Sequence, residues 1–443
     1  MNTAILDSVS RFDVTGRVTG VAGLELTVSG LNPPVGALLS VGDAGMPAEV
    51  IAVREGRCVV MPLQDTSGIS AGDPVSVADD MTLPLGHGLR GRTIDALGNP
   101  IDGRGPIDGA VERVGHANDV PNPMTRQRIS EPLGLGVRTI DTLLPCGEGQ
   151  RIGVFAGSGV GKSSLLGMMA RGTQADVVVV GLIGERGREV REFIEDDLGP
   201  DGMRNTVVVV ATSDEPAPTR IRAAFTATRV AEWFAAQDKN VLLLMDSVTR
   251  VAMAQREVGL TAGEPPTTRG FPPSVFALLP KLLERTGPLE VGSVTGVYTV
   301  LVEGDDMNEP VTDHVRSILD GHVVLSRELA AAGHFPTIDV LNSVSRLAGK
   351  VAEPSHLDDA TALRQVLLAW ENGRDLVELG AYESGTNPAL DAYLTLRTPV
   401  TTFLQQGLHE VLPREQSLAE LHAMADAIRT VSGTAAPSEG SAS

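Results

Sequence analysis

Residues 151–169, RIGVFAGSGVGKSSLLGMM, restrict the possible fold more than any other stretch. A short apolar run enters a glycine-rich turn, then Lys162, Ser163 and Ser164, then a segment with an apolar helical face. Glycines let consecutive backbone N–H groups converge on phosphate oxygens, and a helix that starts directly after them adds a favourable field. Gly157, Ser158, Gly159, Val160, Gly161, Lys162, Ser163 and Ser164 are therefore the expected phosphate cradle. Lys162 is placed on the outer phosphates, and the Ser163 hydroxyl is placed to ligate Mg²⁺. Ala156 stands where the strict pattern has its first glycine.

A second element, VLLLMDSVTR at 241–250, is an apolar run that ends in an acid. Asp246 at the carboxyl end of a buried strand near the phosphate loop is the expected second anchor for Mg²⁺. The third element is LIGERGREV at 182–190, which follows the apolar run 177–180. The strand over 177–183 is expected between the phosphate-loop helix and the Asp246 strand, with its carboxyl end turned toward the outer phosphate. Three readings of Glu185 remain open from spacing: a solvated carboxylate, half of an ion pair, or the group that polarises an attacking water. Arg186 and Arg188 cannot both serve that last role, and Glu189 is spaced to brace one of them.

The rest of the chain is organised around these elements. Residues 12–85 carry short β-like runs (RVTG, LELTV, AEVIAV, RCVVMPL) between turn signals, which predicts a small barrel or sandwich in a domain over 1–85. Residues 86–150 are loop-rich, as in ALGNPIDGRGPIDG. Apolar runs at 151–156, 177–183, 206–211, 241–245 and 294–302 then alternate with helical spacing. That alternation predicts an α/β domain over 86–355, built on a parallel sheet. A helical domain is expected over 356–430, with a Ser417/Glu420 capping box before the spaced Leu421, Ala425 and Ile428. A polar tail is expected over 431–443.

Composition excludes several classes. The formal charge of −20 and an aromatic content of 3% argue against a nucleic-acid partner, including a single-strand-binding helicase. Cys58 and Cys146 lie in no metal or redox spacing and are expected in cores. The first fourteen residues lack a leader pattern, and no apolar run is long enough to span a bilayer, so a cytoplasmic chain is expected.

Long stretches of this kind, including GLIGERGREVREFI, MDSVTRVAMAQRE, GEPPTTRGFPPSVFALLPKLLERTG and GDDMNEP, resemble the ATPases of the rotary-synthase and type III export group, and within it the flagellar export branch. The resemblance covers about 15–430. It implies a RecA-like P-loop core between an N-terminal barrel and a C-terminal helical domain. It also implies Mg²⁺-dependent ATP hydrolysis in a homo-oligomeric, hexameric ring that energises or gates export. By the same resemblance Glu185 is the catalytic carboxylate and Arg186 lies near the phosphates. Arg346, in the SxSR element of LNSVSRLAG, acts on the neighbouring protomer, and Phe335 in GHFPTID packs on adenine. Implied partners are a stator-like regulator, a central stalk protein, export-gate membrane proteins and chaperone–substrate complexes, at the cytoplasmic face of the export apparatus. A virulence injectisome ATPase and a non-catalytic ring subunit are the alternatives, and Glu185 speaks against the second.

Overall fold

The computed structural model describes residues 15–78, 82–116 and 118–433. The first fourteen residues and the tail from 434, on which sequence expectations were placed, lie outside them.

Six strands between Gly16 and Val77 close an antiparallel barrel. Alternation along each strand fills it. Leu26 and Val28, Leu39 and Val41, Val50 and Val60 point inward with Cys58, while intervening residues face out. The strand Thr82–Leu85, assigned by sequence to this N-terminal unit, pairs instead with Glu112–Gly115. Its Leu83 and Leu85 join the core of the central domain.

That central domain is a nine-stranded sheet. Its main path runs 338–345, 321–325, 151–156, 293–301, 240–246, 177–185, 206–212 and 93–94. All neighbours along the path are parallel except the edge pair formed by Gly321–Leu325 and Ile338–Ser345. A parallel sheet must be covered on both faces. Val178, Val180 and Leu182 enter one core, and Val177, Val179 and Ile183 enter the other. This two-sided burial explains the uninterrupted apolar runs. The helices Ala217–Ala235, Val248–Thr261 and Pro273–Leu283 cover one face, and the helix Lys162–Gly172 covers the other.

The expected position of strand 177–185 is corrected. It lies on the far side of the Asp246 strand, and 293–301 separates the phosphate-loop strand from the Asp246 strand. Chain order does not dictate spatial order when helical crossovers allow a later strand to insert.

Three helices, Pro354–Glu378, Pro388–Leu404 and Arg414–Ser432, form the C-terminal bundle. The last one starts before Ser417, which is buried inside it, so the expected capping box is not formed. Glu420 pairs with Arg138 (3.0 Å) instead of capping a helix. This helix also runs to Ser432, two residues into the expected tail, before Gly433 ends it in the left-handed region. The bundle is tied to the central domain by polar contacts. Gln406 accepts from the Arg138 N–H and donates to the Gly136 carbonyl. Arg364 donates to the Val340 and Leu143 carbonyls.

Under the sheet, Arg285 and Glu232 form a two-bonded ion pair (2.6 and 2.7 Å), with both side chains buried. Removing Arg285 leaves the buried Glu232 charge with only the Asn118 amide and the longer Arg229 contact (3.5 Å). Arg285→Ala should destabilise the central domain by about 3–5 kcal/mol. Arg191→Ala, which breaks an exposed pair with Glu195, should change stability by less than ~0.5 kcal/mol. Urea unfolding of the two variants measures the contrast.

Candidate active site at the carboxyl edge of the sheet

Strand Arg151–Ala156 ends at the glycine turn. Ala156 replaces the usual glycine without strain because it is still a strand residue: it pairs with Leu301, and its carbonyl accepts from the Val302 N–H (3.0 Å). Gly159 and Gly161 have φ of 76° and 90°, where a side chain would be strained. The helix from Lys162 has no side-chain cap. Its first N–H groups are therefore free to meet an anion.

Parallel packing brings the ends of four separate strands to this edge. Lys162 Nζ bonds Asp246 Oδ1 and lies 3.6 Å from Glu185 Oε1. Asp246 is 2% exposed. Its Oδ1 also accepts from Thr299 Oγ1 (2.7 Å), contributed by the inserted strand. Glu185 reaches Lys162 because strand 177–185 slips register at Gly184. Gly184 has φ 72°, and a Cβ there would lie 2.9 Å from Arg250 Cβ, so only glycine permits this kink. Burial, reinforced by the charge of Asp246 and opposed by Lys162, pushes the Glu185 carboxyl up to about 7.

Ser163 is exposed at the helix start and Ser164 half-buried beside it. The Phe335 ring lies over Gly161, about 3.8 Å from where a Cβ of that residue would sit. Arg186 is turned outward and pairs with Glu189 (3.2 Å). Arg188–Glu192 and Arg191–Glu195 continue that series of surface pairs. Glu185 is thus half of an ion pair with Lys162, while Arg186, Arg188 and Arg191 pair with glutamates along the helix surface. Arg346 is nowhere near the phosphate loop of its own chain. Its N–H donates to the Asp320 carbonyl and its guanidinium to the Arg316 carbonyl, at the amino end of the sheet. The antiparallel strand between Phe335 and Arg346 spans about 24 Å.

Gly159, Gly161, Lys162, Ser163, Glu185 and Arg186 line a cavity of about 770 Å³, and Asp246, Phe335 and Arg346 are not part of its lining. Sequence reasoning missed Thr249, Arg250, Arg256, Arg269 and Glu309, which also line it. Arg250 and Arg256 sit on the helix after Asp246, within the quoted MDSVTRVAMAQRE, and Arg269, with φ 47°, lies within the quoted GEPPTTRGFPPSVFALLPKLLERTG. Among the described residues no three His, Cys, Asp or Glu side chains form a metal cage. Ser163 and Asp246 offer hard oxygen donors, which suit Mg²⁺ when water and phosphate complete its shell.

The raised Glu185 pKa has a definite sign. Its folded value lies above the ordinary carboxylate range, so wild-type stability falls as pH rises from about 4 to about 7. Glu185→Gln keeps that position uncharged. Its thermal midpoint should exceed wild type at pH 8, and the excess should shrink to nothing as pH falls toward 4. Scanning calorimetry without nucleotide measures it.

Comparison with known proteins agrees with this geometry. The ATP synthase alpha/beta family, nucleotide-binding domain, matches residues 136–345, and the T3SS EscN ATPase C-terminal domain matches residues 352–423. The flagellum-specific ATP synthase of Bacillus subtilis is 48% identical, over 94% of this chain and 95% of its own. The assembled ATPase EscN of the enteropathogenic E. coli type III secretion system superposes with a TM-score of 0.88 at 44% identity, over 93% of this chain and 100% of its own. EscN in complex with its central stalk EscO gives 0.86 at 43% identity, with the same coverage. With the phosphate loop, the two carboxylates and a three-domain build all in place, this chain belongs to the family of flagellum-specific ATP synthases and type III secretion ATPases.

Proposed function

We propose that the chain hydrolyses ATP with Mg²⁺ at the boundaries of a head-to-tail, hexameric ring and so energises or gates type III export of flagellar proteins. The observation that carries this is the separation of parts: Lys162, Glu185 and Asp246 meet at one edge of the sheet, and Arg346 is exposed at the other. A heterologous contact brings opposite edges of two protomers together and repeats around a closed ring.

In this reading the N–H groups of Gly157–Ser164 and the ammonium of Lys162 hold the phosphates. Phosphate oxygens draw Lys162 away from Asp246, which frees that carboxylate. Ser163 and Asp246 would hold a divalent ion, which would supply Lewis-acid charge. Glu185 orients a water and takes its proton as the water oxygen bonds the terminal phosphorus and the bridging oxygen leaves with ADP. Arg346 of the next protomer neutralises charge that develops on the transferred group. Arg186, exposed beside Glu185, contributes charge at the same boundary. Phe335 packs on the adenine face.

The likeness to EscN with its central stalk EscO supports a central stalk partner; a stator-like regulator, export-gate membrane proteins and chaperone-bound cargo are proposed on the sequence resemblance alone. The proposed location is cytoplasmic, peripheral to the export apparatus. No helix among the described residues is long and apolar enough to cross a membrane. The 48% identity to a flagellar relative favours the flagellar system over an injectisome. Deletion of the gene should abolish flagella; loss of effector secretion with intact motility would assign the injectisome instead.

ATP hydrolysis per protomer should rise with protein concentration as rings form. Glu185→Gln should bind ATP and lose turnover by about a hundredfold or more. Arg346→Ala should bind ATP as a monomer and lose the concentration-dependent rate. Near wild-type turnover in Glu185→Gln would remove that residue from the mechanism.

A further inference from the structure

The phosphate loop is held from outside by a residue that the site has not yet used. Thr337 is 2% exposed, and its hydroxyl donates to the Val160 carbonyl at 2.7 Å. We propose that Thr337 is a positioning residue that aims the Gly161 N–H into the phosphate cradle. This rests on the proposed role of residues 157–164 as the nucleotide site.

The argument is geometric. The Val160–Gly161 peptide is trans. A trans peptide is planar, with its C=O and N–H pointing in opposite directions. Fixing the Val160 oxygen on Thr337 therefore fixes the direction of the Gly161 N–H, on the side away from Thr337. Gly161 needs the help because φ 90° belongs to a residue without a Cβ, whose peptide planes rotate most freely. The anchor itself is rigid. Thr337 leads into the edge strand Ile338–Ser345, and its carbonyl accepts from the Ser326 N–H (2.8 Å). Val160 is buried in the core beneath. The short segment before that strand thus carries both the ring over Gly161 and, two residues later, the hydroxyl that sets the peptide behind it. The Phe335 carbonyl accepts from the Gln406 N–H (3.0 Å), which connects this anchor to the C-terminal bundle.

Titration calorimetry with ATP, ADP and adenosine tests the proposal, with Mg²⁺ present throughout. Thr337→Val keeps the shape and removes the hydroxyl. It should weaken ATP and ADP about tenfold and leave adenosine unchanged, while Thr337→Ser restores affinity. A folded Thr337→Val with wild-type affinity for ATP overturns the proposal. So does an equal loss for adenosine, which would mean that the change acts through Phe335. Should Thr337→Val not fold, Thr337→Cys, a weak donor of similar size, must fall between wild type and that loss; wild-type affinity there also overturns the proposal. Lys162→Ala separates the two levels. If it leaves ATP affinity unchanged, the nucleotide-site reading itself fails; if it abolishes binding while Thr337→Val does not, only the role of Thr337 fails.

Discussion

A parallel sheet buried on both faces is the constraint on which everything else rests. Its parallel strands can be joined only by crossovers that cover those faces, so their carboxyl ends emerge at one edge, while the antiparallel edge strand Ile338–Ser345 ends at the other. Residues far apart in the chain, Lys162, Glu185, Asp246 and Thr299, meet there because four strands stop together. The same burial makes their charges costly to hold. Lys162 offsets the two carboxylates, and Glu185, held in that dry corner beside a like charge, keeps its proton more tightly than a surface glutamate. Arg186, Arg250, Arg256 and Arg269 line the same cavity, which suits a ligand that brings its own phosphates and cation.

The two edges of the sheet have different work. The carboxyl edge carries the phosphate loop and the ring of Phe335. The amino edge carries Arg346, with its backbone fixed on Asp320, which in turn grips Arg151 at the foot of the phosphate-loop strand. In the proposed ring, a rigid element would thus connect the Arg346 side of one boundary to the phosphate-loop side of the next. The C-terminal bundle joins the same framework. Gln406 bonds Gly136 and Arg138 of the central domain and also the carbonyl of Phe335. A shift of the bundle would therefore be felt where the base is proposed to sit.

Local patterns were legible to the degree that local physics decided them. Strand runs at 151–156, 206–212 and 240–246 stand where continuous apolar residues require two-sided burial. The glycine turn and the start of the P-loop helix follow from φ values that other residues resist. The capping box at Ser417 failed because helix-forming residues before it extend the helix and a distant arginine takes Glu420. Thr337 carried no signal at all, since a threonine hydroxyl has meaning only through the carbonyl that it meets.

The sequence by itself determined the α/β class, a small β domain before it, helices after it, and the glycine turn that leads from a strand into a helix, while spacing left the role of Glu185 open. Each depends on periodicity, on backbone freedom or on charge placed within a few residues. Only the tertiary structure decided that strand 293–301 lies between the phosphate loop and Asp246, that Glu185 turns inward while its neighbouring arginines turn out, and that Arg346 stands at the opposite edge. Those outcomes depend on which strands become neighbours and on a single kink at Gly184. They are set by packing across the whole domain, which no short window of sequence contains.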